Sequence, residues 1–113
     1  MPRDKRLRQL CETLLIKPGD QRTLEQWASS TNASARTLAR LFVAETGLTF
    51  GEWRQQARVL EAMGRLNNGE PVTDVALDLG YESVSAFSAM FRRAAGASPR
   101  QYRRNRSGTD ISP

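Results

Sequence analysis

The second half of this chain restates the first. Ala28 and Ala76 each stand four residues before Asn32 and Gly80, the two residue types that best tolerate a left-handed turn. A serine follows each, Ser34 or Ser83, and then an apolar pair, Leu41-Phe42 or Met90-Phe91. Five residues beyond each phenylalanine is a glycine, Gly47 or Gly96, and six beyond each glycine an aromatic, Trp53 or Tyr102. The second copy has one extra residue in its turn. A short helix, a turn through a small residue at positive φ and a second helix form the helix-turn-helix pattern. Two such units are predicted, with an alanine on each first helix letting the second cross closely.

Apolar residues recur at helical spacing throughout, and no stretch alternates convincingly with period two. The first helix is expected over Arg3–Ile16, with Leu7, Leu10, Cys11, Leu14 and Leu15 on one face. "KPGD" stops it. Thr23 with Gln26 forms a capping box for a short helix holding Leu24, Trp27 and Ala28. Ser34 opens a third helix, buried through Leu38, Leu41 and Phe42 and closed by Gly47. Thr49 with Glu52 is a second capping box and starts the longest helix, about Phe50–Asn67. Its stripe is read as Phe50, Trp53, Ala57, Leu60 and Met63. Helices over Val72–Leu79 and Ser83–Ala95 follow, and Ser98, Pro99 and Gln101 start a seventh. The fold class is therefore all-α: two helix-turn-helix lobes, residues 3–47 and 72–104, joined by a long helix over 50–67, with a disordered tail at 105–113.

With Leu38, Leu41 and Phe42 inward, a rotation of about 100° per residue turns Arg36, Ala39, Arg40 and Val43 outward. Arg36 and Arg40 stack one turn apart, a mildly unfavourable pair in solvent. Against DNA they become two forks aimed at guanine edges or phosphates. Burying Phe87, Met90 and Phe91 turns Ser85, Ser88, Ala89 and Arg92 outward, with Arg93 to one side. A small, neutral start lets this helix approach base edges, and the later arginines meet the backbone. The long helix, 18 residues at about 1.5 Å each, spans roughly 27 Å, and adjacent major grooves on one DNA face are about 34 Å apart.

Composition narrows the chemistry. Net charge is +5, carried by fifteen arginines against two lysines, and arginine forks onto phosphate and guanine. With one cysteine and no histidine, disulfide frameworks, Cys/His zinc sites and histidine-dependent catalysis are excluded. No cofactor or metal is expected. Asp74 and Asp78 read as helix-surface charges rather than a catalytic pair, so no enzyme is expected. Without an exposed aromatic platform, RNA is a poor fit. No apolar run approaches the roughly 18 residues of a membrane span, and the expected location is cytoplasmic.

"VTDVALDLGYESVSAFSAMFRRAAGASPRQYR" resembles the C-terminal signature of the AraC/XylS family of bacterial transcription regulators. The resemblance rests on Ala76, Gly80, Tyr81, Ser85, Phe87, Phe91, Gly96, Pro99 and the Tyr102-Arg103 pair. "SARTLARLFVAETGLTFGEWRQQARVLEAM" is similar to that family's first motif and linker helix, and the likeness runs from about Leu7 to Arg104. It implies two helix-turn-helix subdomains that bind double-stranded DNA in adjacent major grooves. Carried over, base contacts fall to Arg36, Ala39 and Arg40 on the first recognition helix. On the second they fall to Val84, Ser85, Ser88 and Ala89. Phosphate contacts are expected from Arg92, Arg93 and Arg103.

The chain departs from the pattern at Asn32, where glycine is common, at Ala89, where arginine is common, and at Ala95, where an aromatic often precedes the glycine. Ala89 shifts the second motif towards shape, apolar contact and phosphates. RNA polymerase is a possible further partner. Most members carry an effector-binding or dimerisation domain ahead of this one, and "RLRQLCETLLIKPGDQRTLEQW" resembles the segment joining the two, so a piece of a longer regulator is expected. The alternative function is a basic helical interaction module with only non-specific DNA binding.

Overall fold

The computed structural model describes residues 1–103; Arg104 and the tail expected at 105–113 lie outside the described residues. Helices α1 (Lys5–Ile16), α2 (Leu24–Ala28), α3 (Ala35–Thr46), α4 (Phe50–Asn67), α5 (Val72–Asp78) and α6 (Val84–Ala95) follow in order. A seventh, α7, opens at Pro99 and is helical over the described residues 99–103. No strand occurs among the described residues. The chain divides into two compact units, one of Met1–Ala57 and one beginning at Arg58, with the boundary inside α4.

The helix starts are set by side chains that satisfy otherwise orphaned amides. Thr23 accepts from the Gln26 amide at 3.1 Å while the Gln26 side chain accepts from the Thr23 amide at 2.7 Å. Thr49 and Glu52 repeat this reciprocal pair at 3.1 and 2.9 Å, as do Ser98 and Gln101 at 3.1 and 3.0 Å. Ser34 and Ser83 accept from the amides of Thr37 and Ala86. The first helix starts two residues later than expected, because Asp4, not a residue before Arg3, is its cap: one carboxylate oxygen accepts from the amides of Arg6 and Leu7.

In the first unit, Leu7, Leu10, Cys11 and Leu14 of α1 bury against Ala28, Leu38 and Phe42. Phe50 and Trp53 close over Phe42, each ring edge-on at about 6 Å. Leu15 does not join this core and is 51% exposed. It sits at the edge of the arc defined by its four buried neighbours, so the packing closes without it. The buried Trp27 indole N–H has no hydrogen-bond partner among the described residues, and the Arg22 guanidinium stacks 3.7 Å over its ring.

In the second unit, Val59, Ala62 and Leu66 of α4 pack with Val75, Ala76 and Leu79, and with Phe87, Met90 and Phe91 of α6. The stripe expected along α4 fails at Leu60, which is 68% exposed. The residues of α4 that serve the second unit are Val59, Ala62, Met63 and Leu66. At 3.6 residues per turn they run about half a turn out of phase with Phe50 and Trp53. One continuous stripe cannot serve two separate clusters, and the phase changes between Ala57 and Val59.

The repeat is realised as packing. Ala28 and Ala76 are both buried, as are Phe42 and Phe91. Phe91 meets Tyr102 edge-on at 5.6 Å, the counterpart of Phe42 with Trp53. Gly47 and Gly96 both end their helices in the left-handed conformation, φ 78° and 80°, with amides bonded to the carbonyls of Val43 and Arg92.

Candidate nucleic-acid interface

The two turns reach the same topology by different chemistry. Gly80 takes φ 88°, letting the Tyr81 amide reach the Ala76 carbonyl at 3.0 Å and placing the Tyr81 ring edge-on to Phe87 at 5.5 Å. Asn32 was expected to play this part in the first turn, but among the described residues only glycines have positive φ. Thr31 shapes that turn instead: its hydroxyl donates to the Ala28 carbonyl at 2.9 Å and accepts from the Ala33 amide at 3.1 Å. A threonine side chain can bond to nearby backbone, which removes the need for a left-handed residue.

On α3, burial of Leu38 and Phe42 leaves Arg36 and Arg40 exposed and Ala39 half-buried. Val43, on the same face, is 47% exposed and was not among the expected base contacts; its signal was its seven-residue offset from Arg36. The one acid of α3, Glu45, faces away and accepts from the amides of Arg3 and Asp4. On α6, burial of Phe87, Met90 and Phe91 leaves Ser85, Ala89, Arg92 and Arg93 exposed, Val84 37% exposed and Ser88 half-buried. No acid occurs between Ser83 and Arg103.

Three arginines are held in ion pairs. Arg6 pairs with Asp4 at 2.8 Å, Arg22 with Asp20 at 2.7 Å, and Arg65 with both Glu70 and Asp78 at 2.6 Å. The Arg6 side chain hydrogen-bonded to Asp4 holds that carboxyl down at about 2. The Arg22 side chain likewise lowers Asp20, and Glu70, then Asp78, raise Arg65 above the usual arginine range. Arg36, Arg40, Arg92 and Arg93 have no carboxylate partner among the described residues. Arg3, Arg8 and Arg100 are also exposed without one, and what marks α3 and α6 is that each carries two such arginines on the helix that follows its turn, which favours an anionic partner there.

Arg103 stands apart. It is half-buried on α7, and its guanidinium donates to the Leu66 carbonyl at 3.3 Å and to the Glu70 carbonyl. Beside it the Tyr102 hydroxyl accepts from Asn67 at 3.2 Å. The bond to Leu66 caps a carbonyl in the last turn of α4, where helix geometry leaves it orphaned, and the bond to Glu70 holds the segment that follows α4. Asp74 and Asp78 are both exposed, and Asp78 is held by Arg65. Cys11 is buried, and burial pushes its thiol up to about 11, a setting for packing rather than reactivity. No helix among the described residues is long and apolar enough to cross a membrane.

Comparison with known proteins agrees with the fold. A family described as a helix-turn-helix domain, of the AraC type, matches residues 27–105. The HTH-type transcriptional regulator NimR of Escherichia coli is 41% identical over 97 residues, covering 86% of this chain and 36% of NimR. The chain spans about a third of the length of curated relatives such as NimR and RipA. Among solved structures, the DNA-binding domain of AdpA in complex with a target DNA is 30% identical with a TM-score of 0.85, covering 96% of this chain and 100% of that one. The C-terminal domain of AraT, a response regulator from Geobacillus stearothermophilus, is 29% identical with a TM-score of 0.84, covering 90% of this chain and 86% of that domain. With the repeated helix-turn-helix pattern, the all-α fold and a family match over most of its length, this chain belongs to the AraC-type helix-turn-helix family of transcription regulators.

Proposed function

We propose that this chain is the DNA-reading part of a transcription regulator and binds double-stranded DNA by sequence, with α3 and α6 each entering a major groove. One observation carries the reading: both helices expose arginines that lack carboxylate partners among the described residues, on the helix that follows each turn. NimR, a transcriptional regulator by name, and the AdpA domain solved on its target DNA support it. Base contacts are assigned to Arg36, Ala39 and Arg40 on α3 and to Val84, Ser85, Ser88 and Ala89 on α6. Phosphate contacts are assigned to Arg92 and Arg93. Arg103 is assigned instead to holding the end of α4 and the segment after it, since two of its donors are engaged by the carbonyls of Leu66 and Glu70.

The reading includes no catalytic residue, metal or cofactor, and a cytoplasmic location goes with it. Effector response, dimerisation and contact with RNA polymerase belong to the whole regulator, of which relatives have about twice as much again. The test is selection of random duplex DNA by the purified chain. Enrichment of a motif in two blocks about one helical turn apart is expected. Arg40→Ala is expected to cost about 1–3 kcal/mol and relax preference at one base position. Binding without enrichment favours the non-specific interaction module instead.

A further inference from the structure

The two exposed faces differ in chemistry as well as in sequence. On α3, Arg36 and Arg40 present two guanidinium forks one turn apart, without a carboxylate partner among the described residues. They are separated by about 6 Å along the helix axis, less than two base-pair steps of about 3.4 Å. On α6, the reading turns hold no charged residue at all, and the first cation, Arg92, comes two turns after Val84. Val84 is a β-branched side chain with few rotamers, 37% exposed at the first position of the helix. The cap bond from Ser83 to the Ala86 amide anchors the turn that carries it, and Val84 lies outside the apolar cluster of its unit.

We propose that the two recognition helices read different base chemistry: α3 takes guanines through Arg36 and Arg40, and α6 takes thymine through contact of Val84 with its 5-methyl group. The proposal rests on the DNA-binding reading above and adds which bases each face selects. Guanine offers two acceptors, N7 and O6, on its major-groove edge, and an arginine fork matches both. A valine has no donor or acceptor, and the thymine methyl is the apolar group that the major groove offers it. The exposed hydroxyl of Ser85 serves either base of the pair and does not oppose this choice. The operator is then asymmetric, with a guanine-bearing block under α3 and a thymine-bearing block under α6.

The test uses the full chain and the selected operator with single-atom base changes. Each thymine is replaced in turn by deoxyuridine, which removes only the methyl, and each guanine by 7-deazaguanine, which removes only the N7 acceptor. Loss of one methyl contact is expected to weaken binding about fourfold at one thymine of the α6 block. That penalty is expected to vanish in Val84→Ala, whose exposed position leaves folding intact. In the α3 block, 7-deazaguanine is expected to weaken binding at least fivefold, with the penalty lost at one guanine in Arg40→Ala and at another in Arg36→Ala. Sequence-specific binding that is indifferent to deoxyuridine, or an equal deoxyuridine penalty in Val84→Ala, overturns the proposal and leaves the DNA-binding reading standing. Failure to enrich any operator overturns both.

Discussion

At the scale of single residues, the ends of helices are decided by a few polar atoms. Asp4 caps α1 through the amides of Arg6 and Leu7, and its second carboxylate oxygen takes the Arg6 guanidinium at 2.8 Å. Removing such a cap costs about 0.5–2 kcal/mol, so Asp4→Ala is expected to be destabilised by that amount in urea unfolding at neutral pH. The carboxyl is held at about 2, below its ordinary 3.8. Its contribution is thus complete above about pH 4 and is lost as pH falls through 2. The gap between wild type and Asp4→Ala should therefore close over that interval, and a gap that does not change with pH would sink the assignment. The caps Thr23, Ser34, Thr49, Ser83 and Ser98 were legible because each acts within three residues of itself. Asp4 carries the same local signal, a carboxylate just before the first helical residue, and the expected start at Arg3 overlooked it.

At the scale of elements, the two copies of the motif show how a repeated topology tolerates different local solutions. Gly80 adopts φ 88°, a conformation that costs an L-residue roughly 1–2 kcal/mol. Gly80→Ala is expected to lower stability by about that much in thermal unfolding. Asn32→Ala, at the equivalent position of the first copy but without positive φ, is expected to leave stability nearly unchanged. Equal losses at both positions would show that the turns share one mechanism after all. The alignment of Asn32 with Gly80 was visible in sequence, and the substitution of a threonine hydroxyl for a left-handed residue was not. Likewise, α4 was placed residue for residue from its capping box and its "NNGEP" stop, while its stripe was misdrawn at Leu60. A periodic pattern presumes one buried face, and α4 contributes to two clusters with different phases.

At the scale of the whole molecule, a net charge of +5 says that anions are attracted, not where. Placement follows from which arginines are already engaged. Arg92→Ala is expected to weaken binding to all DNA sequences alike and to reduce the slope of log affinity against log salt by about one, with thermal stability unchanged. Arg103→Ala is expected instead to cost about 1–3 kcal/mol of stability, because carbonyls of Leu66 and Glu70 lose a charged donor. A salt slope altered by Arg103→Ala with stability intact would return Arg103 to the phosphate contacts. The repeat, the helix order, the caps of α2, α3, α4, α6 and α7 and the outward positions of Arg36, Arg40, Ser85 and Ala89 were written in the chain. They depend on spacing within one or two turns, and 3.6-residue geometry carries them into space unchanged. The burial of Val59 and Leu66 in place of Leu60, the pairing of Arg65 with Glu70 and Asp78, and the use of Arg103 as a helix cap came only with the tertiary structure. Each depends on which distant side chain or carbonyl arrives within about 3 Å, and packing, not local spacing, brings those groups together.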